Sequence, residues 1–174
     1  ELVYVGKLDI EKSMATYIRD IVFEKEPKIG RQPGAPGYVL DEDMVVDIKL
    51  VYQTEMTDCG EEFIDNDEHR IIVSRGLKMK SHPFPAWLRA FLPCCGVELS
   101  LGMSMLLTAL YEEGGLDAYT RDQIDRMYIN YTLKKVKNPL KRGFLDALMG
   151  LFIGSDLGWK WNSEETNVAR IEPI

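Results

Sequence analysis

The sequence predicts an α+β fold: a mainly antiparallel sheet of about four to six strands, with helices packed on one side. Three observations predict it. Met44 to Met56 alternates at period two. Arg70 to Lys80 alternates in the same way. Asn138-Pro139 then opens a segment whose apolar residues recur at helical spacing. With 174 residues and 45% hydrophobic content, the chain suits one domain with a real core and is short for two. The expectation is a single α+β domain over 1–174, with a flexible loop at 30–37 and a mobile C-terminal tail at 155–174.

The elements follow in order. Leu2 to Leu8 is rich in Val and Tyr and reads as a short strand. Asp9 caps a predicted helix over 10–26, with Ile10, Met14, Tyr17, Ile18, Ile21 and Val22 on one face and Pro27 ending it. Gly30 to Gly37 (GRQPGAPG) is the strongest loop signal in the chain. In the strand that follows, Val46, Ile48, Leu50 and Tyr52 share one face, while Asp47, Lys49 and Gln53 share the other. Residues 58–69 read as an acidic turn. Arg70 to Lys80 reads as an antiparallel partner strand through Ile71, Val73, Leu77 and Met79.

Pro83 and Pro85 open an irregular or short helical segment, Ala86 to Leu92, and Pro93 to Gly96 (PCCG) is a turn. Val97, Leu99, Leu101, Met103 and Met105 alternate with Glu98, Ser100, Gly102 and Ser104, which predicts a strand followed by a helical turn. A helix competes, because the apolar run continues through Leu106, Leu107, Ala109 and Leu110. Thr120 with Gln123 forms a capping box that starts a helix, yet Met127 to Leu133 also alternates, so 120–137 stays open between helix and strand. The helix over 139–153 is expected to bury Leu140, Phe144, Leu148, Leu151 and Phe152 and to stop at Gly154. Trp159 and Trp161 lie in a tail that either packs back or stays exposed.

Function is read mainly from charge. Residues 1–68 hold 17 acids and 7 bases, and residues 69–174 hold 11 acids and 14 bases. The overall acidity argues against a general nucleic-acid binder. Two basic stretches stand out. The first, Arg75, Lys78, Lys80 and His82, leads into Phe84, Trp87, Leu88, Arg89, Phe91 and Leu92. Bases facing anionic headgroups, with Trp and Phe at the apolar boundary, make a peripheral membrane or partner surface. The plainer alternative is a solvated strand followed by a core-packed turn. The second stretch is Lys134, Lys135, Lys137, Lys141 and Arg142, at the start of the 139–153 helix. Cations are disfavoured at a helix N-terminus, so an anionic partner (headgroup, RNA or an acidic neighbour) is expected there. Neutralisation by Asp122 and Asp125, or plain solvation, is the alternative.

Other chemistry is thin. Cys59, Cys94 and Cys95 are too few and odd in number for a disulfide framework, which suggests a reducing compartment. Cys94 and Cys95 read as buried small hydrophobes or as acylation sites. Cys59, His69, His82 and Cys94 lack the close ligand pair of a zinc site. Asp65, Asn66, Asp67 and Glu68 lack the glycine and distal Glu of an EF-hand loop and read as a solvated hairpin tip. No catalytic motif, cofactor signature or metal set is expected. A base beside His82 should lower its pKa. The apolar stretch Phe84 to Tyr111 is broken by Arg89, Pro93 and Glu98, so no bilayer span is expected.

The resulting expectation is a non-enzymatic interaction protein that self-associates through unlike-charged surfaces and also contacts a membrane, cytoplasmic or virion-associated. Its physical character is that of a small matrix-like or capsid-associated viral protein, by analogy and not by motif. Its expected partners are itself, another protein or an anionic membrane, with nucleic acid bound through 134–142 as an alternative. An enzyme with an unrecognised carboxylate site is the other.

Overall fold

A computed structural model describes residues 14–31, 37–54, 64–79, 81–154, 159–161 and 167–174. The strand expected at Leu2 to Leu8, Cys59 and Lys80 lie outside the described residues. The strands are β1 (Met14–Phe23), β2 (Ile29–Arg31), β3 (Tyr38–Leu40), β4 (Met44–Thr54), β5 (Ile64–Val73), β6 (Lys78–Met79) and β7 (Ala169–Pro173). The helices are α1 (Ala86–Cys94), α2 (Leu101–Glu112), α3 (Arg121–Thr132) and α4 (Pro139–Gly150), with a short 3-10 turn at Gly114–Asp117. A four-stranded antiparallel sheet runs β1-β4-β5-β7, and a three-stranded antiparallel sheet runs β2-β3-β6. The fold is α+β, as the sequence predicts.

The register of β4 against β5 sets the core face of the larger sheet. Met44 pairs with Val73, Val46 with Ile71 and Ile48 with His69. Of these, Met44, Val46, Ile48, Ile71 and Val73 are buried. The opposite face carries Asp47 and Arg70, cross-strand neighbours whose side chains hydrogen-bond at 2.8 and 3.2 Å. This is the expected half-buried alternation.

The helix predicted over 10–26 is strand β1 over Met14–Phe23, and 24–26 follow it with no helix. The cause is a bulge: pairing shifts between Ile18 and Asp20, leaving Arg19 as an extra residue. Ile18 pairs with Leu50, Ile21 with Ile48 and Phe23 with Val46, so the partners of alternate β4 residues fall at 18 and 21, three apart. One inserted residue thus turns a period of two into the three-and-four spacing of a helix.

The partner strand also differs in extent. It runs Ile64–Val73, so residues 64–69, expected as turn, are strand. The chain turns at Arg75-Gly76, where Gly76 has φ +90, and Lys78-Met79 then joins the smaller sheet. Within the expected loop 30–37, Gly30 and Arg31 belong to β2, and 32–36 lie outside the described residues. Within the expected mobile tail, Ala169–Pro173 pairs with β5 as β7.

The strand predicted over 97–105 is instead the entry to α2. Ser100 caps it, its Oγ accepting from the Met103 N–H at 3.3 Å. Every residue from Gly102 to Tyr111 is buried. A helix with no solvent side shows no helical amphipathicity, which left the alternation of small and large residues as the visible pattern. The two inward hydroxyls are satisfied within the helix: Ser104 donates to Ser100 O at 3.1 Å and Thr108 to Ser104 O at 2.8 Å.

The open segment 120–137 resolves as helix α3, with the capping box of Thr120 and Gln123 in place. Trp159 and Trp161 pack back on Tyr111, with ring centroids 6.2 and 5.2 Å away. Among the described residues, no helix is long and apolar enough to cross a membrane.

Candidate functional site

The candidate site is built by α1, α4 and the loop that precedes α4. In α1, Leu88 and Leu92 are buried, while Trp87 is 57% exposed and Phe91 39% exposed. Trp87, Phe91 and Cys94 are spaced by four and three, so they share one face of α1, and Cys94 is exposed too. Arg89 is exposed on the same short helix.

Helix α4 has the same division on a larger scale. Asn138 caps it, its Oδ1 accepting from the Leu140 and Lys141 N–H groups at 3.0 and 3.3 Å. Leu145, Met149 and Ile153 face the core. The stripe expected to be buried is not: Leu140 is 87% exposed, Phe144 60% and Leu151 58%. Leu148 and Phe152 are half-buried. At 100° per residue, Leu140, Leu151, Phe144, Leu148, Phe152, Leu145 and Met149 spread over roughly half the helix circumference. The fold covers one side of that apolar arc and leaves the other outside. Sequence reading erred by giving the whole arc to the core. The missed signal was the rest of the helix, where Gly143, Ala147 and Gly150 leave Arg142 and Asp146 as the charged residues.

Two contacts join the helices. Trp87 meets Phe152 edge to face, with centroids 6.0 Å apart, and Phe152 also meets Phe84 at 6.4 Å. At the far ends, Lys135 Nζ reaches Glu98 at 3.5 Å. The start of α1 therefore lies by the end of α4, and the chain after α1 lies by the chain before α4. Both helices turn apolar side chains outward, they meet at Trp87 and Phe152, and the lysines before α4 lie at the other end.

Lys134, Lys135, Lys137 and Lys141 are exposed at that end. Lys134 Nζ sits 4.0 Å over the Tyr131 ring, and Arg142 is half-buried, donating to Leu133 O at 3.4 Å. Of the two acids in the neutralisation alternative, Asp125 is engaged elsewhere. Asp125 is buried and accepts from the Tyr111 hydroxyl, with Arg121 at 3.9 Å. Burial raises its pKa, opposed by Tyr111 and Arg121. The N-terminal amides of α4 are not an open anion cradle either, because Asn138 occupies two of them.

The first basic stretch does not stay together. Phe84 is a core residue, 1% exposed, so it is not part of a surface. Arg75 lies in the turn after β5, its backbone N–H donating to Asp43. Lys78 lies in β6 and lines a cavity of about 240 Å³ with Ser81, Thr108, Tyr111, Glu112 and Trp159. Of the members that lie in α1, Trp87, Arg89 and Phe91 are exposed, while Leu88 and Leu92 are buried.

His82 sits behind the face. Its Nδ1 accepts from the Phe84 N–H at 3.1 Å, so the neutral ring carries its proton on Nε2, 3.4 Å from Ser104 Oγ. Burial, then the nearby Arg89, pushes its pKa down to about 4. His69 is engaged elsewhere, its Nδ1 2.8 Å from the Tyr119 hydroxyl. Among the described residues, no group of three His, Cys, Asp or Glu side chains is placed to hold a metal ion. The chain matches no protein-family model, no curated protein and no solved structure.

Proposed function

We propose that this chain is a non-enzymatic interaction protein whose working surface is the outward face of α1 and α4. The supporting observation is the apolar arc of α4, which continues past the core through Leu140, Phe144 and Leu151 into solvent, and whose Phe152 touches Trp87 on α1, where Phe91 is exposed too. Contiguous exposed apolar surface of this kind marks a site of contact. The enzyme alternative calls for a pocket lined by acids with raised pKa; the cavity beside Tyr111 has Glu112 as its one acid, and in the open one formed by Asp41, Glu42 and Asp43 the cations Lys25 and Arg75 line the same space.

Self-association through unlike charge belongs to the same proposal. The lysines of 134–141 supply the basic side. On the acidic side, Glu42 is held by Lys25 and Lys28 at 3.1 and 2.7 Å, so the charge available for pairing between copies is reduced there.

The test compares the native chain with the Leu140→Glu/Phe144→Glu variant by sedimentation velocity at low and high salt, with a dye that fluoresces on apolar surfaces. The native chain is expected to form assemblies that grow with concentration and weaken with salt, and to bind the dye while folded. The variant is expected to be monomeric and dark. A native chain that is monomeric throughout removes self-association. One that also binds the dye no better than the variant removes the contact reading.

A further inference from the structure

We infer that the occupant of the α1–α4 face is an anionic lipid bilayer, on which α4 lies flat with its lysine-bearing start among the headgroups; this rests on the contact reading above. The charge pattern is what selects lipid. Segments 86–94 and 139–151 contain one acid, Asp146, and Arg126 holds it by two hydrogen bonds of 2.8 and 3.1 Å. Among the described residues of these segments and the turn before α4, the charge that remains is positive: Arg89, Lys134, Lys137 and Lys141. Glu98, the acid nearest the basic end, is already matched by Lys135.

Composition points the same way. Lysines bordering Trp, Phe and Leu on one helical face are the make-up of helices that lie in the membrane interface. Trp87, apolar in body and polar at its ring N–H, suits the boundary between headgroup and acyl chain.

Geometry then fixes the orientation. Leu140, Phe144 and Leu151 share one face along about 16 Å of helix axis. A helix exposing the same face at both ends meets a plane side-on, not by its tip. Side-on contact brings α1 down with it, because Trp87 and Phe152 are in ring contact. Lys137 and Lys141 flank Leu140, and their long stems let the ammonium groups reach the phosphates while Leu140 enters the apolar layer.

The experiment is co-sedimentation of the full chain with phosphatidylcholine vesicles and with vesicles that also contain phosphatidylserine. The native chain is expected to bind the second and not the first, and to be released by high salt. Lys137→Gln/Lys141→Gln should weaken binding by about fivefold per lysine. Leu140→Glu/Phe144→Glu should weaken it at least tenfold, and Trp87→Ala should weaken it measurably. Circular dichroism confirms that each variant is folded; all these positions are exposed, so the native spectrum is expected.

Absence of binding to the anionic vesicles overturns the inference, as does binding that survives Leu140→Glu/Phe144→Glu. A single-stranded RNA bound through Lys137 and Lys141 in preference to the vesicles assigns the basic end to nucleic acid and also overturns it. The two readings fail separately. If the double Glu variant loses assembly and dye binding while vesicles are never bound, lipid is wrong and the contact face stands. If it alters neither assembly, dye nor vesicle binding, both fall.

Discussion

At the scale of single residues, His82 carries the clearest linkage between charge and stability. Its pKa is about 4 in the folded chain against about 6.5 when unfolded. Between those values the unfolded chain binds a proton that the folded chain refuses. The stability contributed by neutral His82 is therefore complete above about pH 6.5 and lost as pH falls, by roughly 3 kcal/mol at pH 4. Denaturant titrations across this range should show that loss. His82→Asn, whose side-chain oxygen can still accept from the Phe84 N–H, should flatten the slope between pH 6.5 and 4. An unchanged slope would place the titration elsewhere. The direction of this shift was legible from the neighbouring bases in the sequence. Its larger cause, burial beside Phe84 and Ser104, was not, because Ser104 is 22 residues away.

At the scale of elements, the outcome depended on whether each element has a solvent side. Strand β4 has one, and its alternation gave the correct assignment. Helix α2 has none, and its pattern misled. Strand β1 contains a bulge at Arg19 that imitates a helix. Two end signals held, the capping box at Thr120 and the cap at Asn138, which both mark real helix starts, while Asp9 and Pro27 bounded a predicted helix where strand β1 runs. Asn138→Ala should cost about 1 kcal/mol by removing the acceptor for the Leu140 and Lys141 amides, read as a lower denaturation midpoint. Gly102 is a second sensitive point. A Cβ there would lie 3.0 Å from Pro27 Cγ and 3.3 Å from the Phe23 ring. Gly102→Ala should therefore destabilise by about 1–3 kcal/mol through overpacking between α2 and β1, although alanine favours helices. A stability gain instead would mean that α2 and β1 are not in close contact.

At the scale of the whole molecule, the fold separates two kinds of surface. The outer face of the larger sheet pairs its own charges, as in Asp47 with Arg70. The α1–α4 side leaves apolar groups and lysines outward. The sequence showed that basic and aromatic segments are neighbours along the chain. It did not show which aromatics are core: Phe84 and Trp87 are three residues apart, yet one is sealed and the other open. Nor did it show that Leu140, Phe144 and Leu151 face away from the core, since an apolar helical stripe reads the same whether the fold or a partner covers it.

The most direct measurement of the central claim is amide hydrogen exchange, mapped by peptide with and without phosphatidylserine-containing vesicles. The account predicts slower exchange on binding across 86–94 and 139–151, with β4 and β5 unchanged. Protection that falls on the sheets and spares both helices, or no protection anywhere, would contradict it.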